Sequence, residues 1–449
     1  MAVALTIAFV AASCSGSDNA SDQLQPEPEV PAQNAAESTT PTTAAGSLNT
    51  QDDGSNPSVS SAQDIESDPP SPVETEPPPT TEPPPTTEPP PPIPGVLFVS
   101  GSGSDEPGAG RFSDAPLRTP AFAVREAVPG DVIEIGAGTY APFEIVGRTG
   151  IEIRTAPEGG VVFTSDSYTS DAGVRIADSQ DIVITGLTFE RLLWGIQVVA
   201  SQEVTLRNNV IRDIGQEAIS VREQSTNVDI LENFIALTGQ RPGSDDRFEF
   251  RTFGEGIYLG TGSTSADGSV DVVSDILIDG NVIQQTTAEA IDVKASVESV
   301  VITNNLIHDI DVASGGAITI GRGTRDFNAD VVVEGNAIYN VTTWGPYSDG
   351  IGIRVSSTAQ IRNNAIWGTQ HRGILVDEEF RSIDGTGVEI SDNLIFDSGN
   401  TRIEARPQDV VDICGTIENA GEVNAFDATD TSDAAVRDLL QTLSSRTGC

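Results

Sequence analysis

The sequence contains one lysine, Lys294, against 23 arginines. Lys294 follows Asp292 by two residues, so both side chains project from the same face of an extended strand. A lysine can act as a base when its surroundings lower its pKa, whereas an arginine stays protonated. Abstraction of the proton beside a uronate carboxyl group needs such a base, so Lys294 is our candidate catalytic residue. The alternative is that Lys294 serves only as an ion-pair partner for Asp292.

Carboxylates occupy equivalent positions near this lysine. Glu217, Glu255 and Glu289 each precede a segment of the form small-apolar-x-apolar, such as Ala290-Ile-Asp-Val293. Neighbouring glutamates repel one another unless they are protonated, paired with arginine or bound to a cation. Calcium prefers carboxylate oxygens, so we predict that Asp292, Glu255 and Glu289 could hold a Ca²⁺ ion.

Two arginines follow equivalent segments and complete the predicted reaction chemistry. Arg222 and Arg354 could stabilise the negative charge that develops on a uronate during β-elimination. Aromatic faces and hydrogen-bonding groups suit sugar rings, which have one apolar face and a polar rim. The predicted substrate-binding residues are Tyr258, Trp344, Tyr347, His308, His371 and Trp194. For Trp194 the alternative is simple packing against a neighbouring coil.

A repeat of asparagines predicts the scaffold that positions these residues. The pattern apolar-x-apolar-x-x-Asn-x-apolar recurs at Asn209, Asn233, Asn281, Asn305, Asn336, Asn364 and Asn393. Period-2 alternation on both sides of each asparagine, followed by the small-apolar-x-apolar segment, gives three short strands per coil. We therefore predict an all-β fold, a right-handed parallel β-helix or solenoid with short capping helices. Each asparagine is expected to adopt the left-handed turn conformation and to bond to the next one.

Insertions indicate which face of the solenoid is used, because core strands must keep their lengths while loops can grow. Long segments precede the small-apolar-x-apolar strand at 236–255, 308–316 and 340–349, and follow it at 260–274, 321–329 and 377–386. They would wall a groove along that sheet. One predicted column on its floor is Arg222, Gly260, Lys294, Gly321, Arg354 and Asp377. The middle column is Ser220, Tyr258, Asp292, Thr319 and Gly352.

The chain divides into four predicted regions. Residues 1–14 resemble a bacterial lipoprotein signal peptide in which Cys14 would carry the lipid, or else an ordinary cleaved secretory signal. Residues 15–94 contain fourteen acidic residues and no lysine or arginine, which predicts a disordered Pro/Thr/Glu linker. The β-helix spans 95–413. The capping segment spans 414–449, where Cys414 and Cys449 are expected to form a disulfide.

Helical patterns near both ends predict caps for the stack. Thr119-Pro120 begins a helix expected to run through Val128 and to cover the first coil. Val436, Leu439, Leu440 and Leu443 follow helical spacing after Ser432. This second helix is expected to plug the open end of the last coil.

The charge excludes some partners and favours others. The formal net charge is −43, and removing the fourteen acidic residues of the linker leaves −29 for the remainder. Binding of nucleic acid or of an anionic membrane needs clustered cations, so neither is expected. We expect a monomer that binds a polysaccharide and touches a membrane only through an N-terminal lipid anchor. Its predicted location is the bacterial cell envelope or the extracellular space.

Several segments near the start of the predicted β-helix resemble those of pectate-lyase-like right-handed β-helix proteins, a group that includes chondroitinase B and alginate lyase type enzymes. They are Val99-Ser-Gly-Ser-Gly-Ser-Asp105, Ala115-Pro-Leu-Arg-Thr119, Pro129-Gly-Asp-Val-Ile133 and Ala137-Gly-Thr-Tyr140. The likeness extends over residues 97–410. The strand Glu289-Ala-Ile-Asp-Val-Lys294 also resembles strands of polysaccharide lyases in which a lysine is the base.

The resemblance implies a fold more strongly than a reaction, because the group also contains glycoside hydrolases, epimerases and non-catalytic surface proteins. The leading hypothesis is β-elimination on an acidic polysaccharide. Hydrolysis or epimerisation by paired carboxylates is the first alternative. A non-catalytic module that binds glycan or mediates adhesion at the cell surface is the second.

Overall fold

The computed structural model describes residues 95–165, 167–168, 172–241, 253–261, 272–294, 297–312, 314–322, 330–344, 350–377, 387–406, 411–416 and 433–444. The predicted signal peptide with Cys14 and the predicted linker lie outside these residues and stay predictions. None of the helices in the described part of the chain is long and apolar enough to cross a membrane.

Strands in the described ranges form three parallel sheets. Sheet A has twelve strands: β1 (Val96–Val99), β2 (Val132–Ile135), β5 (Thr149–Thr155), β8 (Gln180–Thr185), β11 (Gln202–Arg207), β14 (Thr226–Leu231), β17 (Val273–Asp279), β20 (Val297–Thr303), β23 (Val331–Glu334), β26 (Ala359–Arg362), β29 (Val388–Ser391) and β32 (Val411–Cys414). Sheet B has ten: β3 (Gly138–Tyr140), β6 (Val161–Thr164), β9 (Thr188–Leu192), β12 (Val210–Ile214), β15 (Phe234–Ala236), β18 (Val282–Gln284), β21 (Leu306–Val312), β24 (Ala337–Thr343), β27 (Ala365–Thr369) and β30 (Leu394–Ser398). Sheet C also has ten: β4 (Phe143–Val146), β7 (Ala172–Ala177), β10 (Trp194–Val199), β13 (Ile219–Arg222), β16 (Ile257–Leu259), β19 (Ile291–Lys294), β22 (Gly316–Arg322), β25 (Ile351–Val355), β28 (Arg372–Val376) and β31 (Thr401–Ala405).

The chain visits sheets A, B and C in turn, and each strand pairs with its equivalent in the next coil. The fold is therefore the predicted right-handed parallel β-helix. Inward residues stack in columns, as Ile219, Ile257 and Ile291 do in sheet C, where all three are fully buried. Burial of each such side chain contributes about 1.5–3 kcal/mol, so the continuous column of apolar residues holds successive coils together.

The seven asparagines form one buried ladder at the turn between sheets A and B. In each step the side-chain oxygen of one asparagine accepts from both the backbone N–H and the side-chain amide of the asparagine one coil earlier. Asn281 donates to Asn305 at 2.9 and 3.0 Å in this way. The predicted ladder is confirmed, but the expected backbone conformation is wrong. The preceding residue takes the positive φ instead, for example Asn304 at 54°, which frees the ladder asparagine to point inward.

The N-terminal helix α1 spans Pro120–Glu126, two residues shorter than predicted. Thr119 is its N-cap, and the Thr119 hydroxyl accepts from the backbone N–H of Phe122 at 3.2 Å. Ala123 and Val124 are buried in the same apolar core as the first strands. The helix thus covers apolar surface at the start of the stack, as the sequence predicted.

The C-terminal helix α2 spans Asp433–Ser444, but its predicted position is wrong. Val436 and Leu439 pack on Tyr339, Trp367 and Phe396, whose side chains stand on the outer face of sheet B. The helix therefore covers a flank of the stack instead of plugging its end. Unlike a simple end cap, it has a row of stacked aromatic rings to bury, with Tyr339 and Trp367 centroids 4.6 Å apart.

Cys414 ends β32 and is disulfide-bonded. Cys14 and Cys449 both lie outside the described residues, so the pairing with Cys449 stays a prediction.

Candidate active site

A groove with a cavity of about 660 Å³ lies on the outer face of sheet C. Its floor includes a column of residues paired from coil to coil: Arg175, Gln197, Ser220, Tyr258 and Asp292. These residues alternate along their strands with fully buried core residues, so their side chains point away from the interior. Lys294 and Arg222 line the same cavity, as the sequence predicted.

A second column forms one edge of the cavity and contains Trp194, Glu217, Glu255 and Glu289. The Trp194 indole N–H donates to one oxygen of Glu217 at 2.7 Å, and Arg222 donates to the other oxygen at 2.7 Å. The arginine balances the charge of Glu217 and both of its carboxylate oxygens are hydrogen-bonded. Glu255, the next glutamate of the column, has one carboxylate oxygen without a hydrogen-bond partner among the described residues.

Glu255, Glu289 and Asp292 form a buried carboxylate cluster. One oxygen of each lies within 4.8 Å of the others, and the three residues are 4%, 4% and 0% exposed. Within the described part of the chain, Glu255 Oε2 and Asp292 Oδ1 have no hydrogen-bond partner. Burial raises the pKa of Glu255 well above its usual value, and the charges of Glu217, Glu289 and Asp292 raise it further. Three buried carboxylates at this separation fit the ligand preference of a divalent cation such as calcium.

Two cations flank the ring of Tyr258. The Arg222 guanidinium carbon lies 4.4 Å from the ring centroid and the Lys294 Nζ lies 5.0 Å from it. Both distances allow cation–π attraction. Burial raises the pKa of Tyr258, so its phenol stays protonated at neutral pH. The ring therefore separates two positive charges beside the carboxylate cluster.

Lys294 forms the ion pair with Asp292 that the sequence allowed for. Burial alone would lower the pKa of Lys294, but the charges of Asp292 and Glu289 outweigh burial and raise its pKa above the usual value. The expected lowering of this pKa is therefore wrong for the site without a bound metal ion. At neutral pH the side chain is an ammonium group.

Arg354 lies elsewhere in the register than predicted. Ile353, and not Ile351, pairs with Ile318, so Arg354 takes the place predicted for Gly352 and pairs with Thr319 in the middle column. The predicted column that contained both Lys294 and Arg354 is wrong because Thr319 pairs with Asp292 on its other side, which places Arg354 in the column of Asp292. A separate register shift after Val293 pairs Lys294 with Arg322. The Arg354 side chain is ion-paired with the buried carboxylate of Asp377 and is not part of the cavity lining.

The aromatic and histidine candidates lie in different parts of the structure. Trp194 lines the cavity. Trp344 instead donates from its indole N–H to the backbone oxygen of Thr287 at 3.1 Å. His308 stands on sheet B, where it stacks on Tyr339 with centroids 4.9 Å apart, so it is not a groove residue.

Of the two remaining candidates, only His371 belongs to the described residues. His371 lies directly before β28 and its backbone N–H donates to Gly350, but it does not line the cavity. Tyr347 lies outside the described residues.

Several cavity residues were not among the sequence candidates, and Arg175 and Phe253 are two of them. Arg175 continues the middle column toward the N-terminus, and extending the predicted register by two coils would have found it. Phe253, near the end of the long insertion 236–255, is 47% exposed and lines the cavity. No periodic pattern marks Phe253, because insertions do not follow the register of the coils.

Comparison with known proteins agrees with this architecture. The model of the right-handed beta helix region family matches residues 142–236 and 246–415. An alginate lyase from Paenibacillus sp. str. FPU-7 is similar with a TM-score of 0.51 and 18% identity, covering 72% of this chain and 98% of that one. Comparison with curated proteins finds no match.

Two further solved structures are similar at lower scores. Pectate lyase Pel9A has a TM-score of 0.48 and 13% identity, covering 76% of this chain and 82% of that one. The GH136 lacto-N-biosidase from Eubacterium ramulus has a TM-score of 0.49 and 11% identity, covering 72% of this chain and 68% of that one. At such identities the likeness concerns the fold, and the chemistry has to be argued from the site.

Proposed function

This chain belongs to the right-handed β-helix family, and from that premise we propose that it is an exported enzyme that cleaves an acidic polysaccharide by β-elimination. The observation that carries the proposal is the arrangement of Lys294, Tyr258 and Arg222 next to a carboxylate cluster in one groove. An amine, a protonated phenol and a guanidinium within one cavity supply a base, an acid and a cation. β-Elimination next to a carboxylate needs these three functions.

In the proposed reaction Lys294 removes the proton at C5 of a uronate. The electron pair forms the C4–C5 double bond, and the bond from C4 to the glycosidic oxygen breaks. Tyr258 donates its phenolic proton to the leaving oxygen, since burial raises the pKa of Tyr258 and keeps that proton in place. The products are an unsaturated uronate and a new chain end.

Lys294 has to lose its own proton before it can act as this base. The charges of Asp292 and Glu289 raise its pKa, so only a small fraction is neutral at neutral pH. The activity should consequently increase with pH. Calcium, when bound to Glu255, Glu289 and Asp292, would cancel part of that negative charge and would polarise the carboxyl group of the substrate.

Arg222 is the better candidate for stabilising the enolate-like charge. It lines the cavity and lies against Tyr258, whereas the predicted alternative, Arg354, is held by Asp377 two coils beyond Asp292. Two coils correspond to about 10 Å. A guanidinium at that separation would act on another part of the substrate.

Hydrolysis is the second candidate, and one observation favours it. Glu255 has a raised pKa while it lies beside other carboxylates, which is the pattern of a general acid next to an ionised partner. The oxygens of Glu255 and Glu289 approach within 4.8 Å, close to the separation of about 5–5.5 Å found in retaining glycosidases. In that reaction Glu255 would protonate the glycosidic oxygen.

An assay on the purified chain separates these functions. We would incubate it with polygalacturonate, alginate and glycosaminoglycans, with and without calcium. Unsaturated ends that absorb ultraviolet light indicate elimination, and reducing ends without such absorbance indicate hydrolysis. Binding to a glycan column with neither product indicates the non-catalytic alternative. Lys294→Ala should abolish elimination, whereas Arg212→Gln on sheet B should retain it; an unchanged rate in Lys294→Ala would exclude this lysine as the base.

We further propose that the chain is exported as a monomer and anchored through lipid at Cys14, with residues 15–94 as a flexible acidic spacer. The repulsion among fourteen acidic residues without a compensating cation supports an extended spacer. Expression with Cys14→Ala tests the anchor. Release of this variant from membranes supports lipidation, and an unchanged membrane fraction contradicts it.

A further inference from the structure

Three cations line the groove, and two of them are already neutralised. Arg222 pairs with Glu217 at 2.7 Å, and Lys294 pairs with Asp292. Arg175 makes no hydrogen bond or ion pair within the described part of the chain. Glu144 stands beside it one coil away, yet is exposed and does not pair with it. Arg175, a half-buried residue, is therefore the cation lining this cavity that has no carboxylate partner within the described part of the chain, and it can bind an anionic ligand.

The position of Arg175 fixes its relation to the reacting residues. Its strand, β7, is three coils from β16, which carries Tyr258, with Gln197 and Ser220 on the strands between. Three coils correspond to about 14 Å along the axis of the solenoid. A linked chain of pyranose units advances by a similar distance per unit as the solenoid does per coil. A glycan laid along the groove would thus place successive units over successive coils.

The surroundings of Arg175 are suited to a sugar, and the neighbouring carboxylate of Glu144 does not pair with Arg175 within the described part of the chain. Gln197 follows it on the groove floor, and the exposed ring of Phe253 lines the same cavity. The carboxylate oxygens without a hydrogen-bond partner among the described residues, on Glu255 and Asp292, lie toward the other end of the groove. The groove is therefore polarised along its length, with the cation that lacks a carboxylate partner at its N-terminal end.

We propose that Arg175 forms an acidic-sugar subsite that binds the carboxylate of a uronate about three units away from the one at Tyr258. The inference rests on the proposed function, since it takes the substrate to be an acidic glycan. Arg175 is a positioning residue in this scheme: it holds the polymer in register and takes no part in bond cleavage. Short oligosaccharides at the reacting residues would not reach it.

Binding measurements on the full chain test this subsite. The probes are oligogalacturonates and oligomannuronates, each as a dimer and as a hexamer, with affinity measured by titration calorimetry. Arg175→Gln should weaken hexamer binding about tenfold or more, as expected for loss of a hydrogen bond to a charged group, and leave dimer binding unchanged. Arg212→Gln removes an arginine from sheet B and serves as the matched control. With the hexamer as substrate, Arg175→Gln should raise KM at an unchanged kcat.

The outcomes separate this inference from the function on which it rests. If the wild-type chain binds the hexamer and Arg175→Gln binds it equally well, the subsite is refuted while the acidic substrate stands. Equal weakening of dimer and hexamer also refutes it, because a three-unit separation would then be wrong. If the wild-type chain binds none of the probes, the acidic substrate class fails and the subsite fails with it.

Discussion

Replacing Asn305 with alanine should remove one complete step of the asparagine ladder. The Asn305 amide donates to the backbone oxygen of Ile278 at 2.9 Å and to the side chain of Asn336 at 2.9 Å. Its side-chain oxygen accepts from the backbone and the amide of Asn281 at 2.9 and 3.0 Å. Asn305 is fully buried, so water cannot replace these four hydrogen bonds.

The expected loss follows from those bonds. Each contributes about 1 kcal/mol net, and buried groups left without partners cost about 1–3 kcal/mol. The backbone N–H of Asn281 and the carbonyl of Ile278 would both lose a partner in Asn305→Ala. We therefore expect the free energy of unfolding to fall by about 3–5 kcal/mol.

Urea denaturation followed by circular dichroism measures this change. Asn304→Gly is the matched control, because Asn304 is exposed and has a positive φ that glycine tolerates. The control loses one exposed hydrogen bond to Asp279 and should change the free energy of unfolding by less than about 1 kcal/mol. A loss below about 1 kcal/mol for Asn305→Ala would show that the ladder does not stabilise the stack as argued.

Three further predictions concern the site and the C-terminal helix. In the elimination assay kcat/KM should increase about tenfold per pH unit through the neutral range, because the neighbouring carboxylates raise the pKa of Lys294 and only its neutral form acts as the base. Calcium should shift this pH profile to lower pH. A rate that does not change with pH would contradict the role of Lys294 as the base. Burial and neighbouring charges raise the pKa of Glu255, so folding favours its protonated form, and this contribution to stability is lost as pH rises from the usual glutamate pKa through the raised one. In the presence of a chelator, Glu255→Gln should therefore have a higher Tm than the wild type at neutral pH and an equal Tm at about pH 4. Addition of calcium should raise the Tm of the wild type more than that of Glu255→Gln. An equal rise in Tm for both proteins would argue against the cation site. Leu439→Ala should lower the free energy of unfolding by about 2–4 kcal/mol, because this leucine of α2 is only 3% exposed where it packs against the aromatic residues on sheet B. Urea denaturation followed by tryptophan fluorescence measures this change. An unchanged free energy of unfolding would mean that the helix does not pack on sheet B.

Part of the candidate site could be predicted from the sequence, because the alternation of side chains between the two faces of a strand is a local property. The two-residue spacing of Asp292 and Lys294 places both on one face whatever surrounds them. The repeat of Glu217, Glu255 and Glu289 before similar strands likewise aligns them in one column. The local pattern also indicated α1, since Thr119-Pro120 is both a capping signal and a helix start.

Other features depend on distant contacts that no local pattern encodes. The pairing of Ile318 with Ile353, and not with Ile351, moves Arg354 into the middle column, and insertions of unequal length hide such differences in register in the sequence. His308 is of a residue type expected in a sugar-binding groove, but it stacks on Tyr339 because both residues belong to sheet B. The position of helix α2 also depends on distant contacts. An amphipathic pattern shows that one face of a helix is apolar, but it does not show which surface covers that face.

The sequence by itself determined that the chain folds as stacked coils with an internal asparagine ladder, because a strict period in residue type reports a strict period in backbone geometry. Only the tertiary structure decided the charge states and the pairing of the groove residues. The pKa values of Lys294 and Glu255 depend on burial and on carboxylates contributed by several coils. Electrostatic energies depend on distances in space and on exclusion of water, and neither is set by separation along the chain.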